Sequence, residues 1–155
     1  MSPNGIKVIA TNKKAFHNYE IGETWEAGIA LRGTEVKALR DGRVNLGDGW
    51  VNITDDNEAI LMEIQIGLYA FGNLNNHEER RNRKLLLNSH ELTRLAKQVN
   101  EKGLSIVPIK IYFKGSLVKV EIAIGRGKKS HDKRESNKEK DANREIARAM
   151  RSRSR

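Results

Sequence analysis

Apolar and polar residues alternate with a period of two along residues 109–124, the most regular stretch of the chain. Ile109, Ile111 and Phe113 take turns with Lys110, Tyr112 and Lys114. Beyond Gly115-Ser116, Val118, Val120, Ile122 and Ile124 take turns with Lys119, Glu121 and Ala123. A two-residue Gly-Ser loop fits a type II′ turn and pairs Lys114 with Leu117. The same register sets Phe113 opposite Val118, Ile111 opposite Val120 and Ile109 opposite Ile122, all apolar and on one face. The other face pairs Tyr112 with Lys119 and Lys110 with Glu121. A one-residue slip would turn the apolar set into water, so the pattern predicts a hairpin in this register.

Upstream, the period changes to that of a helix. Asn88-Ser89-His90-Glu91 has the form of a capping box, with Asn88 as cap and Glu91 three residues on. Leu92, Leu95, Ala96 and Val99 come next at i, i+3, i+4 and i+7, and Gly103 closes the segment. This predicts an amphipathic helix of about four turns. A shorter helix is expected over residues 34–41, burying Val36 and Leu39 and stopping at Gly42. Residues 19–31, 50–53 and 58–66 read as strands, and the polar, Asn-rich residues 72–83 as an exposed loop. Strands at this spacing with one or two helices among them predict a mostly β fold with flanking helices, a small and mainly antiparallel barrel. The expected folded core is residues 1–126.

Charge separates that core from the C-terminal stretch. Residues 127–155 read GKKSHDKRESNKEKDANREIARAMRSRSR and carry 11 Lys/Arg against 5 Asp/Glu, a net of +6 out of the +9 of all 155 residues. Ile146 and Met150 are the only sizeable apolar residues there, too few to offset the entropy of ordering a chain. The tail is therefore expected to be disordered in the free protein and to order against a polyanion, most naturally RNA or DNA. Ala142, Ile146 and Met150 recur every four residues, a stripe that a helix could form once phosphates take up the flanking arginines.

The remaining chemistry is mostly excluded. There is no Cys, hence no disulfide, thiolate metal site or cysteine nucleophile. His17, His77, His90 and His131 show no metal-ligand spacing, so no metal is expected. Gly125-Arg126-Gly127-Lys128-Lys129-Ser130 is not a nucleotide loop: Ile122 stands where the first glycine is required and Lys129 where the hydroxyl residue belongs. No nucleophile, base and orienter can be assembled, so neither catalysis nor a cofactor is expected. No apolar run exceeds four residues, as at Ala59-Ile60-Leu61-Met62, and the start lacks a signal-peptide stretch; a soluble cytoplasmic monomer is the expectation.

Several strings carry a more specific message. Asn12-Lys13-Lys14-Ala15-Phe16-His17 is followed by Glu26-Ala27-Gly28-Ile29-Ala30-Leu31 and Gly33-Thr34-Glu35-Val36-Lys37-Ala38-Leu39-Arg40. Then come Arg83-Lys84-Leu85-Leu86-Leu87 and, in the tail, Gly127-Lys128-Lys129-Ser130-His131-Asp132-Lys133-Arg134. Five strings in this order resemble the SmpB family of bacterial SsrA-binding proteins, which accompany transfer-messenger RNA to stalled ribosomes. The resemblance implies an OB-type barrel and a non-enzymatic RNA-binding adaptor. It implies that Asn12, Lys13, Glu26 and Leu86 engage the tRNA-like elbow of that RNA. Lys37, Arg40 and Lys84 lie in family strings and suit phosphates. It further implies that the tail enters the decoding region of the small ribosomal subunit. There His131 would stack on an rRNA base beside Asp132, while Lys128, Lys129, Lys133 and Arg134 bind phosphates. Beyond them a helix would lie in the empty messenger channel, and elongation factor Tu is a further implied partner. The chain departs from part of the family in lacking a tail Trp, and in having Gln65 and Leu68 where His and Pro are common.

Without the strings, plainer readings hold. Glu26 would pair with a neighbouring Lys, and Leu86 would be core, although three successive leucines cannot all point inward. The whole would then be a charge-driven rRNA-binding protein of OB type.

Overall fold

The structure, a computed structural model, describes residues 5–69 and 76–128. Its elements are β1 (Ile6–Thr11), α1 (Lys13–Asn18), β2 (Tyr19–Ile29), α2 (Gly33–Arg40), β3 (Val44–Asn45), β4 (Trp50–Ile53), β5 (Ala59–Met62), β6 (Gln65–Ile66), β7 (Arg83–Leu86), α3 (Ser89–Lys102), β8 (Ser105–Lys114) and β9 (Leu117–Gly127). Seven strands form one antiparallel sheet in the order β1-β8-β9-β2-β7-β5-β4, and β3 pairs with β6 separately. The expected mostly β, antiparallel fold with flanking helices is present. The barrel is not closed: the ladder ends at β1 on one side and β4 on the other. The sheet curls instead, so that β4 packs against β8, and α3 fills the gap against both.

The hairpin β8–β9 has the expected turn and, as far as Glu121, the expected register. Lys114 faces Leu117, Phe113 faces Val118, Tyr112 faces Lys119, Ile111 faces Val120 and Lys110 faces Glu121. Gly115 has φ 62, the positive value a primed turn demands of its first central residue. Ile109, however, does not face Ile122. A bulge between Pro108 and Lys110 places Pro108 opposite Ile122. Proline has no N–H to give a ladder, and a bulge absorbs that defect. The extra residue also turns Ile109 to the far side of the sheet, where it joins Val107, Ala123 and Ala15 of α1 in a small second core.

The main core lies inside the curl and includes Ala27, Leu39, Leu61, Ile64, Leu85, Leu95, Ile111, Val120 and Ile122. α3 obeys its capping signal. The Asn88 N–H donates to Glu91 Oε1 at 3.1 Å, Leu95 is buried, and Gly103 ends the helix in the left-handed region with φ 64. α2 begins at Gly33 rather than Thr34 and buries Glu35, Ala38 and Leu39; Val36 is only half-buried. The strand expected over residues 58–66 is broken into β5 and β6 at Glu63, whose φ of 61 no strand residue adopts. His17 lies in α1, a short helix that no periodicity announced.

Of the expected exposed loop, residues 72–75 lie outside the described residues; Glu78, Arg80 and Asn82 are exposed, but His77 and Arg83 are not. His77 is buried, with its ring nitrogens 2.9 Å from Thr34 Oγ1 and from the Ile66 carbonyl oxygen. Arg83 is 0% exposed. Its guanidinium donates to Glu35 and to the carbonyls of Arg81 at 2.8 Å and Glu79 at 3.1 Å. Arg81 closes the cluster on the other Glu35 oxygen. Burial pushes the Glu35 carboxyl up, but hydrogen bonds from Arg81, the Arg32 N–H and Arg83 outweigh it and hold the group below its ordinary range. A buried charge persists only when paired in this way.

Candidate RNA-binding face

Side chains of alternate residues on β8, β9, β2, β7 and β5 point away from the core and make the outer face of the sheet. Residues directly across strands build the site. Gly28 of β2 faces both Lys119 of β9 and Leu86 of β7, and Lys84 of β7 faces Ile60 of β5. Gly28, Lys84, Leu86 and Lys119, together with Glu26, Glu58, Asn88 and Glu91, line an open cleft of about 470 Å³. Gly28 is needed for this shape: a Cβ there would stand 3.2 Å from Leu86 Cβ. A larger residue would push Leu86 aside and fill the floor.

Leu86 is 56% exposed while Leu85, one step along β7, is 2% exposed. The strand alternation therefore leaves one leucine of the triplet with nothing of its own to cover it. Lys84 reaches Glu58 at 3.6 Å across the surface, and Lys119 makes no ion pair among the described residues. Glu26 accepts from the Tyr112 hydroxyl at 2.5 Å and from Lys114 Nζ at 3.2 Å. The Tyr112 bond, with help from Lys114 and Lys119, holds the Glu26 carboxyl below its ordinary range despite some burial. Burial and the Glu26 carboxylate in turn push the Tyr112 phenol well up, so it stays a donor. The cleft thus offers an apolar platform, two cations and an ionised acceptor side by side. That set suits an unstacked base, backbone phosphates and base N–H groups respectively.

Glu26 of β2 and Lys84 and Leu86 of β7 are therefore brought together, and Lys119 of β9 joins them across Gly28. Lys119 belongs with them and was missed, although the hairpin alternation already placed it on the solvent face. Asn12 does not belong there. It is 3% exposed, its amide nitrogen donates to the carbonyls of Leu46 at 3.0 Å and Pro108 at 2.8 Å, and its oxygen caps α1 by accepting from the Ala15 N–H. All its polar atoms are spent inside the fold, so it cannot present its amide to RNA. Lys13, next to it, is exposed at the start of α1 beside a shallow hollow formed with Lys14, Asn45 and Gly47. Arg40 and Lys37 are both exposed on α2, outside the cleft; Lys37 Nζ lies 5.2 Å from the Tyr69 ring centroid. Lys128 is half-buried and its Nζ donates to the Phe16 carbonyl at 3.2 Å. Lys129, His131, Asp132, Lys133, Arg134 and the stripe Ala142, Ile146 and Met150 lie outside the described residues. Among the described residues no cluster of His, Asp or Glu is arranged to hold a metal ion, and no helix is long and apolar enough to cross a membrane.

A curled antiparallel sheet with such a face defines a small β protein built to present a surface rather than to enclose a ligand. Its relatives are specific. The sequence profile of the SmpB protein family matches residues 9–152. An SsrA-binding protein of Chlamydia muridarum is 54% identical over 145 residues, spanning 94% of this chain and 95% of that one. One of Geobacter sulfurreducens is 49% identical over 150 residues, spanning 97% of each. A solved chain described as "tmRNA-SmpB: a journey to the center of the bacterial ribosome" superposes with a TM-score of 0.66 at 48% identity, covering 78% of this chain and 85% of that one. The chain belongs to the SmpB protein family.

Proposed function

We propose that this chain is a non-enzymatic RNA-binding adaptor, cytoplasmic, that carries transfer-messenger RNA to stalled ribosomes. The outer-face cleft binds the tRNA-like domain of that RNA: Leu86 packs on an exposed base, Lys84 and Lys119 meet phosphates, and Glu26 accepts from a base edge. Lys13, and Lys37 with Arg40, add phosphate contacts beyond the cleft. The tail, from Lys128 through Lys129, His131, Asp132, Lys133 and Arg134, then engages the decoding region and the vacant messenger channel. The observation that carries the reading is the convergence of Leu86, Lys84, Lys119 and Glu26 on one face from three strands. Relatives named SsrA-binding proteins, and a similar chain described with transfer-messenger RNA and the bacterial ribosome, support it.

The test is discrimination. Affinity for transfer-messenger RNA is compared with affinity for an unrelated hairpin of similar size, for the native chain and for Leu86→Asp with Lys119→Ala. The native chain should prefer transfer-messenger RNA by well over tenfold, and the variant should lose that preference while keeping its salt-sensitive hairpin binding. Equal affinity of the native chain for both RNAs would show a charge-driven binder instead.

A further inference from the structure

Glu26 poses a problem on a surface that meets phosphates, since a carboxylate there repels its own ligand. A second problem is local: Glu26 lies directly opposite Glu121 of β9 in the sheet register. Like charges across a strand pair are destabilising. The structure separates the two by giving each a different cation. Glu121 pairs with Lys110 at 3.6 Å, while Glu26 reaches past β9 to Lys114. Tyr112, on the same face of β8 as both lysines, donates its hydroxyl to the other Glu26 oxygen. Tyr112 is 5% exposed, so the hydroxyl is fixed in place before any ligand arrives.

We propose that Tyr112 is a positioning residue for RNA recognition, holding Glu26 in the one orientation that presents its unused lone pairs to a base edge with two parallel N–H donors. Each carboxylate oxygen has capacity for a second hydrogen bond. Tyr112 takes one site on Oε2 and Lys114 one on Oε1, which leaves a site on each. Lys114 also cancels the charge felt by nearby phosphates. Tyr112 touches no RNA in this scheme; it acts through Glu26, and its role rests on Glu26 binding transfer-messenger RNA as proposed above.

The titratable groups around Glu26 are Tyr112 and Lys114 from β8, Lys119 and Glu121 from β9, Lys84 from β7, Glu58 before β5 and Glu91 of α3. The two donors favour the ionised carboxylate, so RNA affinity should hold above the ordinary carboxylate range and fall as pH drops through the lowered value. Removing the hydroxyl raises that value and moves the loss to higher pH.

A double-mutant cycle with the full chain tests this. Tyr112→Phe keeps the ring and should weaken binding of the tRNA-like domain roughly tenfold, the worth of one hydrogen bond to a charged group. In a Glu26→Ala background the same change should cost less than about twofold, because the group it acts through is gone. The acid loss should begin at higher pH in Tyr112→Phe, with Glu26→Gln lacking that limb. Equal losses in both backgrounds, or native affinity in Tyr112→Phe, would overturn the positioning role. Native affinity in Glu26→Ala would overturn the underlying contact instead. Lys114→Met, which removes the charge and keeps the stem, repeats the cycle should Tyr112→Phe melt early.

Discussion

Asn12 and Leu86 come from strings of equal weight, and the resemblance gives them the same role, yet the structure divides them. Asn12 ties three chain segments together through a buried amide. Asn12→Ala removes a helix cap and the two amide hydrogen bonds to the Leu46 and Pro108 carbonyls, which should lower stability by roughly 2–4 kcal/mol. Denaturant unfolding measures this, and any loss of RNA affinity should come from the displaced start of α1. Leu86→Asp should do the opposite: unfolding within about 0.5 kcal/mol of the native chain, as for most surface changes, with RNA binding strongly reduced. A large fall in the melting temperature of Leu86→Asp would mean the leucine is part of the core.

Among the strands and helices, the legible parts were those whose causes are local. The hairpin turn, its register as far as Glu121, and the box that starts α3 each arise from residues a few positions apart. What escaped depends on distant partners. The bulge at Ile109 answers to Pro108 and to α1, which begins about a hundred residues earlier in the chain and whose cap, Asn12, donates its N–H to the Ile109 carbonyl at 2.8 Å. Arg83 read as loop because its partner Glu35 lies on α2, and no period marks a buried ion pair. Glu26, Lys84 and Leu86 came from the family strings; Lys119 needed the sheet order β9-β2-β7 to show which residue stands beside Gly28.

The Glu35 cluster joins α2 to β7, the strand that carries Lys84 and Leu86, so its failure should loosen the site. Glu35→Ala leaves Arg83 charged and buried and should cost about 3–5 kcal/mol, read by thermal or denaturant unfolding. The lowered carboxyl gives a pH signature. Its stabilisation is complete above the unfolded-state carboxylate value of about 4.5 and is lost as pH falls below that, through the depressed folded value. Glu35→Gln should flatten this acid limb. At the turn, Gly115→Val forces a β-branched residue to φ 62 and should destabilise the hairpin by roughly 1–2 kcal/mol or more.

Across the molecule, charge is unevenly shared. The last 29 residues carry a net of +6 of the +9 total, whereas the cleft face mixes cations with Glu26, Glu58 and Glu91. β9 runs through Gly127, and the Lys128 N–H still bonds the Asn18 carbonyl at 2.9 Å, so the folded part reaches past Arg126. A chain ending after Lys128 should keep its preference for transfer-messenger RNA, show a shallower dependence on salt, and fail to support tagging on stalled ribosomes.

If RNA lies on the outer face of the sheet, neighbouring leucines of β7 report on it directly. With leucine methyls labelled, titration with the tRNA-like domain of transfer-messenger RNA should shift the Leu86 signals strongly and leave those of Leu85, buried on the opposite face, almost unmoved. Unmoved Leu86 methyls at saturating RNA would place the interface elsewhere on the protein and contradict the account.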